Sequence, residues 1–152
     1  MLLHNKALSP KQISELRQKI RTIINPHQEI LLAYLYGSVV KGPFTSHSDI
    51  DIGLYITPET LENRWYPIQL KNELENNLDL GFQPKHEIDI RIINKASPKY
   101  QYSVIFQNPR ILVRDDQVRV DFEKNVLLKW YDMRHTWENF YSEREEWLKS
   151  NS

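Results

Sequence analysis

The chain has 152 residues, 20 basic and 20 acidic side chains that cancel to a formal net charge of zero, 40% apolar residues and no cysteine. That length suits one domain with a buried core, and the absence of cysteine excludes a disulfide framework or a thiolate metal site. A neutral chain lacks the bulk attraction that drives nucleic-acid binding, so a nucleotide or a protein is the expected partner, with no direct nucleic acid. No apolar signal segment opens the sequence and no stretch is long enough to span a membrane, so a cytoplasmic protein is expected.

In chain order, Ser9-Pro10 with Gln12 reads as a capping box with proline at the first helical position. Ile13, Leu16, Ile20 and Ile23 then recur at helical spacing, which predicts a helix from Pro10 to Ile24, stopped by Pro26. A strand follows from Ile30 to Tyr36, and Gly37 turns the backbone at its end. The next strand carries Asp49-Ile50-Asp51-Ile52, and Thr57-Pro58 opens a helix that Pro67 must kink or restart. The restarted piece holds Leu70, Leu74 and Leu78 and is expected to end at Gly81. His86 to Ile93 alternates as a further strand. Ser97-Pro98 caps a short helix reaching about Gln107, and Arg110 to Arg114 reads as a short edge strand. From Asp116 onward Val118, Phe122, Val126, Trp130, Met133, Trp137, Phe140 and Trp147 recur in steps of mostly three or four, without proline or glycine. That pattern predicts one long helix, residues 116–152, appended to a core of residues 1–115. Its stripe either packs on the core throughout or, over Trp137 to Leu148, projects to dock a partner.

The chemistry is concentrated between Tyr34 and Tyr55. Strand alternation puts Asp49 and Asp51 on one face, opposite Ile50 and Ile52, and like charges so close raise each other's pKa or require a cation. Magnesium, a hard ion that takes oxygen ligands together with substrate phosphates, is the natural relief. Gly37-Ser38, ten residues earlier, presents the start of a helical turn with free N–H groups to an anion such as a triphosphate. In the later strand Glu87, Asp89 and Arg91 share a face, and Asp89 completes an acidic trio if the two strands are neighbours, with Glu87 as its competitor. Basic residues such as Lys95, Lys99, Arg110 and Arg114 read as a solvated face with the capacity to meet a phosphate.

Gly37-Ser38, Asp49-x-Asp51 and a later strand bearing Asp89 resemble the nucleotidyltransferase superfamily that includes DNA polymerase beta. Leu35-Tyr36-Gly37-Ser38, Ser48-Asp49-Ile50-Asp51-Ile52, the intervening Lys41-Gly42 and Arg110-Ile111-Leu112-Val113 are similar to the minimal nucleotidyltransferases, the MntA-type antitoxins of HEPT/MNT toxin–antitoxin pairs. The resemblance implies an α/β fold, a small mixed sheet of three to four strands flanked by helices. It implies an enzyme that transfers AMP from ATP to a tyrosine of a cognate HepT-type ribonuclease toxin in a bacterial or archaeal cytoplasm. Asp49, Asp51 and Asp89 would hold Mg2+, two ions by the family's mechanism, with Asp89 also the base; Gly37, Ser38, Lys41 and Ser48 would meet the nucleotide. Lysine at 41, where many relatives carry arginine, and the apolar Pro43-Phe44 loop are departures. A nucleotidyltransferase for a small hydroxyl compound and an antitoxin that blocks its toxin by contact alone are the alternatives.

Overall fold

The computed structural model describes residues 7–82 and 85–151. Helix α1 (Pro10–Ile24) starts at the capping box: the Gln12 N–H donates to Ser9 Oγ at 3.2 Å, and the Ser9 N–H donates to Gln12 Oε1 at 2.9 Å. Strand β1 (Ile30–Tyr36) leads into the one-turn helix α2 (Ser38–Lys41), then β2 (Ile50–Ile56), α3 (Pro58–Glu62) and α4 (Tyr66–Asn77). Strand β3 (Ile88–Ile92), α5 (Pro98–Ile105), β4 (Arg110–Val113) and α6 (Asp116–Ser150) complete the fold.

Four strands form one sheet in the order β3-β2-β1-β4. β1 runs antiparallel to β2 and β4, and β2 runs parallel to β3, an arrangement that requires the crossover supplied by α3 and α4. On one face, Ile50, Ile52, Leu54 and Ile56 of β2 pack with Leu16, Ile20 and Ile24 of α1 and Leu70 and Leu74 of α4. On the other, Leu32, Tyr34 and Tyr36 of β1 pack with Val104 of α5 and Phe122 and Val126 of α6. The sheet is therefore covered on both faces over most of its length, which is what its near-continuous apolar strands require.

Both edge strands are blunted by side chains from neighbouring helices. Arg17 and Arg21 of α1 donate to the Arg110 and Ile111 carbonyls of β4 at 2.7 and 2.6 Å, and Glu75 of α4 accepts from the Ile90 N–H of β3 at 2.9 Å. Arg110 and Arg114, read from sequence as a solvated face, are structural. Arg110 makes a forked pair with Glu123, while Arg114 donates to the Ile30, Asn25 and His27 carbonyls.

Several element boundaries differ from the sequence expectation, whereas Pro67 restarts a helix, one of the two outcomes expected of it, because it sits at the first turn of α4, where its missing N–H costs nothing. α4 ends at Asn77, short of Gly81, because Asp79 Oδ1 takes the Gly81 N–H in a local turn and Leu78 leaves helical geometry. β2 begins at Ile50, so Asp49 lies just before the strand. α5 stops at Ile105, and Gln107 adopts a left-handed conformation with φ 55.

Glu123 fastens α6 to the sheet, accepting from the Tyr34 hydroxyl at 2.9 Å, from Arg110 at 2.8 and 2.9 Å and from Arg119 at 3.0 Å. Burial pushes its carboxyl up, but the hydrogen bonds from Arg110 and Tyr34 outweigh this and hold it below the ordinary glutamate range. A lowered folded pKa stabilises the native state above the unfolded value, and the benefit disappears as pH falls through the folded value. Glu123→Ala is therefore expected to cost about 2 kcal/mol at pH 7, the loss of charge-assisted hydrogen bonds. Urea unfolding should show this gap narrowing as pH falls below the ordinary glutamate value of about 4.3 and closing once pH passes the lower folded value, where the wild-type carboxyl is itself protonated.

Candidate active site

Tyr36, Asp51 and Asp89 stand in one lateral row across β1, β2 and β3: Tyr36 is the Cα partner of Asp51, and Asp51 that of Asp89. Neighbouring strands lie about 4.8 Å apart, so the two carboxylates are side by side on the face that α5 and α6 cover farther along. Asp51 is half-buried, and its carboxyl is pushed up to about 6, first by burial, then by the charges of Asp89 and Asp49, with Arg91 partly offsetting them. The structure thus brings Asp49 and Asp89 each within electrostatic reach of Asp51. Glu87 lies before β3, is exposed, and engages through its backbone, its carbonyl accepting the Ile50 N–H at 2.9 Å.

Gly37 is what lets Asp51 sit where it does. Its φ of +80 is a left-handed conformation, and a Cβ there would run into the Asp51 carboxylate, with Asp51 Cγ only 3.2 Å away. It caps α2 without a side-chain hydrogen bond, so the first N–H groups of that turn open beside the carboxylate. Ser38 begins α2 and Lys41 ends it, exposed.

The loop from Gly42 to Asp49 is pinned from below. Phe44 is buried, stacks on the His86 ring at 4.7 Å between centroids and meets Phe82 edge-on. His86, also buried, donates from Nδ1 to the Ser48 carbonyl at 2.7 Å. The Ser48 hydroxyl, assigned from sequence to the nucleotide, is used in closing the turn: Ser48 Oγ accepts the Thr45 N–H at 2.9 Å. His47 is exposed on the same turn.

Three residues that sequence reasoning gave no role join the row. Arg91, two positions after Asp89 and on its face, bonds Asp89 Oδ2 at 3.3 Å and lies 5.7 Å from the centre of the Tyr100 ring. The hydroxyls of Tyr100 and Tyr36 are hydrogen-bonded to each other. Alternation in β3 already placed Arg91 beside Asp89, which was a usable signal; the approach of Tyr100 from α5 left none.

Among the described residues no three His, Cys, Asp or Glu side chains close on a common metal-sized point. The donor set nevertheless fits magnesium. It consists of hard carboxylate oxygens that crowd one another enough to raise Asp51, and magnesium takes one or two carboxylates and completes its shell with water and substrate phosphate. A carboxyl whose folded pKa lies above its unfolded one costs stability as it ionises. The cost is absent below about pH 4 and complete above pH 6. In chelator, Asp51→Asn is expected to raise stability by on the order of 1 kcal/mol at pH 7.5, after allowance for solvent screening, and to leave it unchanged near pH 4. Thermal melts at the two pH values check this. Gly37→Ala is expected to unfold at a lower temperature than wild type, which thermal melts of the two proteins check.

No curated protein matches the sequence at a significant level. Solved structures do match in fold. One, a toxin–antitoxin with AMP-PNP, aligns at TM-score 0.63 and 20% identity over 84% of this chain and 96% of the matched chain. A second, the MntA-HepT toxin–antitoxin, gives 0.59 and 18% over 86% and 97%. A third, from Shewanella oneidensis, is a tri-AMPylated HEPN toxin in complex with MNT antitoxin, at 0.57 and 19% over 87% and 97%. At such identities the likeness is one of fold. The family model for polymerase beta nucleotidyltransferases matches residues 18–117, the stretch that carries the glycine turn and all three aspartates, and the chain belongs to that family.

Proposed function

We propose that this protein is an MntA-type antitoxin, a cytoplasmic adenylyltransferase that moves AMP from ATP to a tyrosine of a HepT-type ribonuclease toxin. The observation that carries the reading is the Asp51–Asp89 pair across β2 and β3, pressed against the Gly37 turn and flanked by Asp49. The matched structures support the choice of acceptor: one holds a toxin that carries AMP groups beside its antitoxin, another a toxin–antitoxin with an ATP analogue.

In this reading Asp49, Asp51 and Asp89 hold magnesium, which when bound supplies positive charge to the triphosphate. The N–H groups at the start of α2, from Gly37 and Ser38 onward, receive phosphate oxygens, and Lys41 adds charge at the far end of the turn. The tyrosine oxygen attacks the α-phosphorus, the bond from that phosphorus to the bridging oxygen breaks, and pyrophosphate leaves. Asp89 takes the hydroxyl proton, and Arg91, bonded to the same carboxylate, keeps it aimed. His86 and Phe44 hold the loop that delivers Asp49. The protein's share of catalysis is thus positioning and charge placement, as in phosphoryl transfer generally.

Co-expression with a HepT-type toxin tests the proposal. Wild type is expected to add one or more AMP units to the toxin by intact mass. Asp49→Ala with Asp51→Ala should add none while keeping the wild-type circular dichroism spectrum. Asp89→Asn should retain magnesium-ATP binding within a few-fold yet transfer about 100-fold or more slowly, the loss typical of a missing base. A toxin that is inhibited but unmodified by the wild-type protein would favour blockade by contact, and labelling of a small hydroxyl compound instead would favour the third reading.

A further inference from the structure

Helix α6 carries one apolar seam through two different surroundings. At its start Val126 is buried and Trp130 stacks on Tyr102 of α5, with ring centroids 4.7 Å apart and planes 16° from parallel. The same seam continues at heptad spacing through Met133, Trp137, Phe140, Arg144 and Trp147, but from Arg134 to Ser150 every residue is exposed. At 1.5 Å per residue that exposed stretch extends about 25 Å past the last ring contact with the domain. Trp137, Phe140, Tyr141 and Trp147 are 52%, 54%, 53% and 64% exposed, and Leu148 49%. The first three touch one another, Trp137 stacking on Tyr141 at 5.9 Å and meeting Phe140 edge-on at 6.2 Å. A free surface rarely keeps so many aromatic residues on one face of one helix.

We propose that this segment pairs, antiparallel, with the same segment of a second copy of the chain. The seam is self-complementary in that orientation and not in the parallel one. A parallel pair sets Arg144 against Arg144, two like charges in an apolar stripe. An antiparallel pair centred near Ser142 sets Trp137 against Trp147 and Arg144 against Phe140, where the guanidinium covers a ring face. In that register Ser142 marks the level of the two-fold axis, and Glu143 lies one residue from it, level with Tyr141 of the second copy. The contact is isologous and closes at two copies. Covering roughly half of each aromatic ring, with Leu148 and the Arg144 stem, buries on the order of 1,000 Å2 in total, the low end for a specific interface. Dimerisation in the micromolar range follows, independent of the carboxylate row.

Sedimentation velocity of the full chain across the micromolar range is expected to show a concentration-dependent dimer. Trp137→Glu with Trp147→Glu should raise the dissociation constant about tenfold or more while leaving the unfolding midpoint and magnesium-ATP binding unchanged. The chain has no cysteine, so orientation is readable by oxidative cross-linking. Glu143→Cys, beside the axis, should cross-link as a single variant and Ser150→Cys, far from it, should not. Equal cross-linking by both would overturn the antiparallel register. A wild-type chain that stays monomeric at hundreds of micromolar would overturn the pairing itself, as would a seam shielded only after the toxin is added, which would assign the surface to a different protein.

Discussion

Everything at the mouth of the sheet depends on a carboxylate held where only a glycine can neighbour it. Asp51 sits on the strand next to β1, and β1 ends at Tyr36, so the first residue of the following turn necessarily lies beside the Asp51 side chain. Any Cβ there would occupy the space of the carboxylate, and the left-handed φ of Gly37 adds a second penalty for other residues. The glycine therefore does two things at once. It admits the acid, and it starts a helical turn whose leading N–H groups face the same space, so an acceptor of cations and a donor to anions stand together. A magnesium–triphosphate complex carries both kinds of partner in one ligand.

The crowding of Asp49, Asp51 and Asp89 works against the apo fold, and the surroundings of the row bear on how that is tolerated. Arg91 is an internal counter-charge, bonded to Asp89 and lying against the Tyr100 ring, itself linked to Tyr36 in the same row. The opposite face of β2 and β3 is apolar, Ile50, Ile52 and Ile90 being wholly buried, so the carboxylates cannot escape by turning the strand over: a one-residue slip would drive them into the core. Register is thus enforced by hydrophobic burial on one side, and charge is concentrated on the other.

Much of this was legible in the sequence, and the part that was not has a common cause. α1 and β1 have the bounds that the capping box and apolar run predict, because local chemistry decides them. The adjacency of Asp89 to Asp51 was expected only on the condition that the two strands pair, which alternation alone does not determine. Leu70, Leu74 and Leu78 keep helical spacing, yet the helix ends before the third because Asp79 offers its side chain to the backbone; periodicity records which residues are buried, not which are helical. Ser48, which the resemblance implies would meet the nucleotide, has local partners that the sequence did not signal: its hydroxyl accepts the Thr45 N–H and its carbonyl is held by a histidine distant in sequence. Tyr100 reaches the row from α5 through packing of Val104 against Gly53, a contact between residues far apart in the chain.

The long helix shows how one pattern can serve two ends. A seam of constant spacing ordinarily marks a helix buried along its length, and here its first part meets that expectation through Phe122, Val126 and Trp130. Beyond Met133 every described residue of α6 is exposed, but the spacing continues unchanged and, Arg144 apart, the seam residues become larger rather than more polar. Helix formation alone would be served at those positions by small or charged residues with better propensity than tryptophan or phenylalanine, so the aromatic choice is not explained by local structure. Nor does the carboxylate row use them, since among the described residues the last ring contact with the domain is Trp130 on Tyr102. The single arginine inside the stripe then discriminates among ways of covering it: a covering surface must bring an aromatic face or a carboxylate to Arg144, and the segment itself carries both, Phe140 one turn before it and Glu143 beside it.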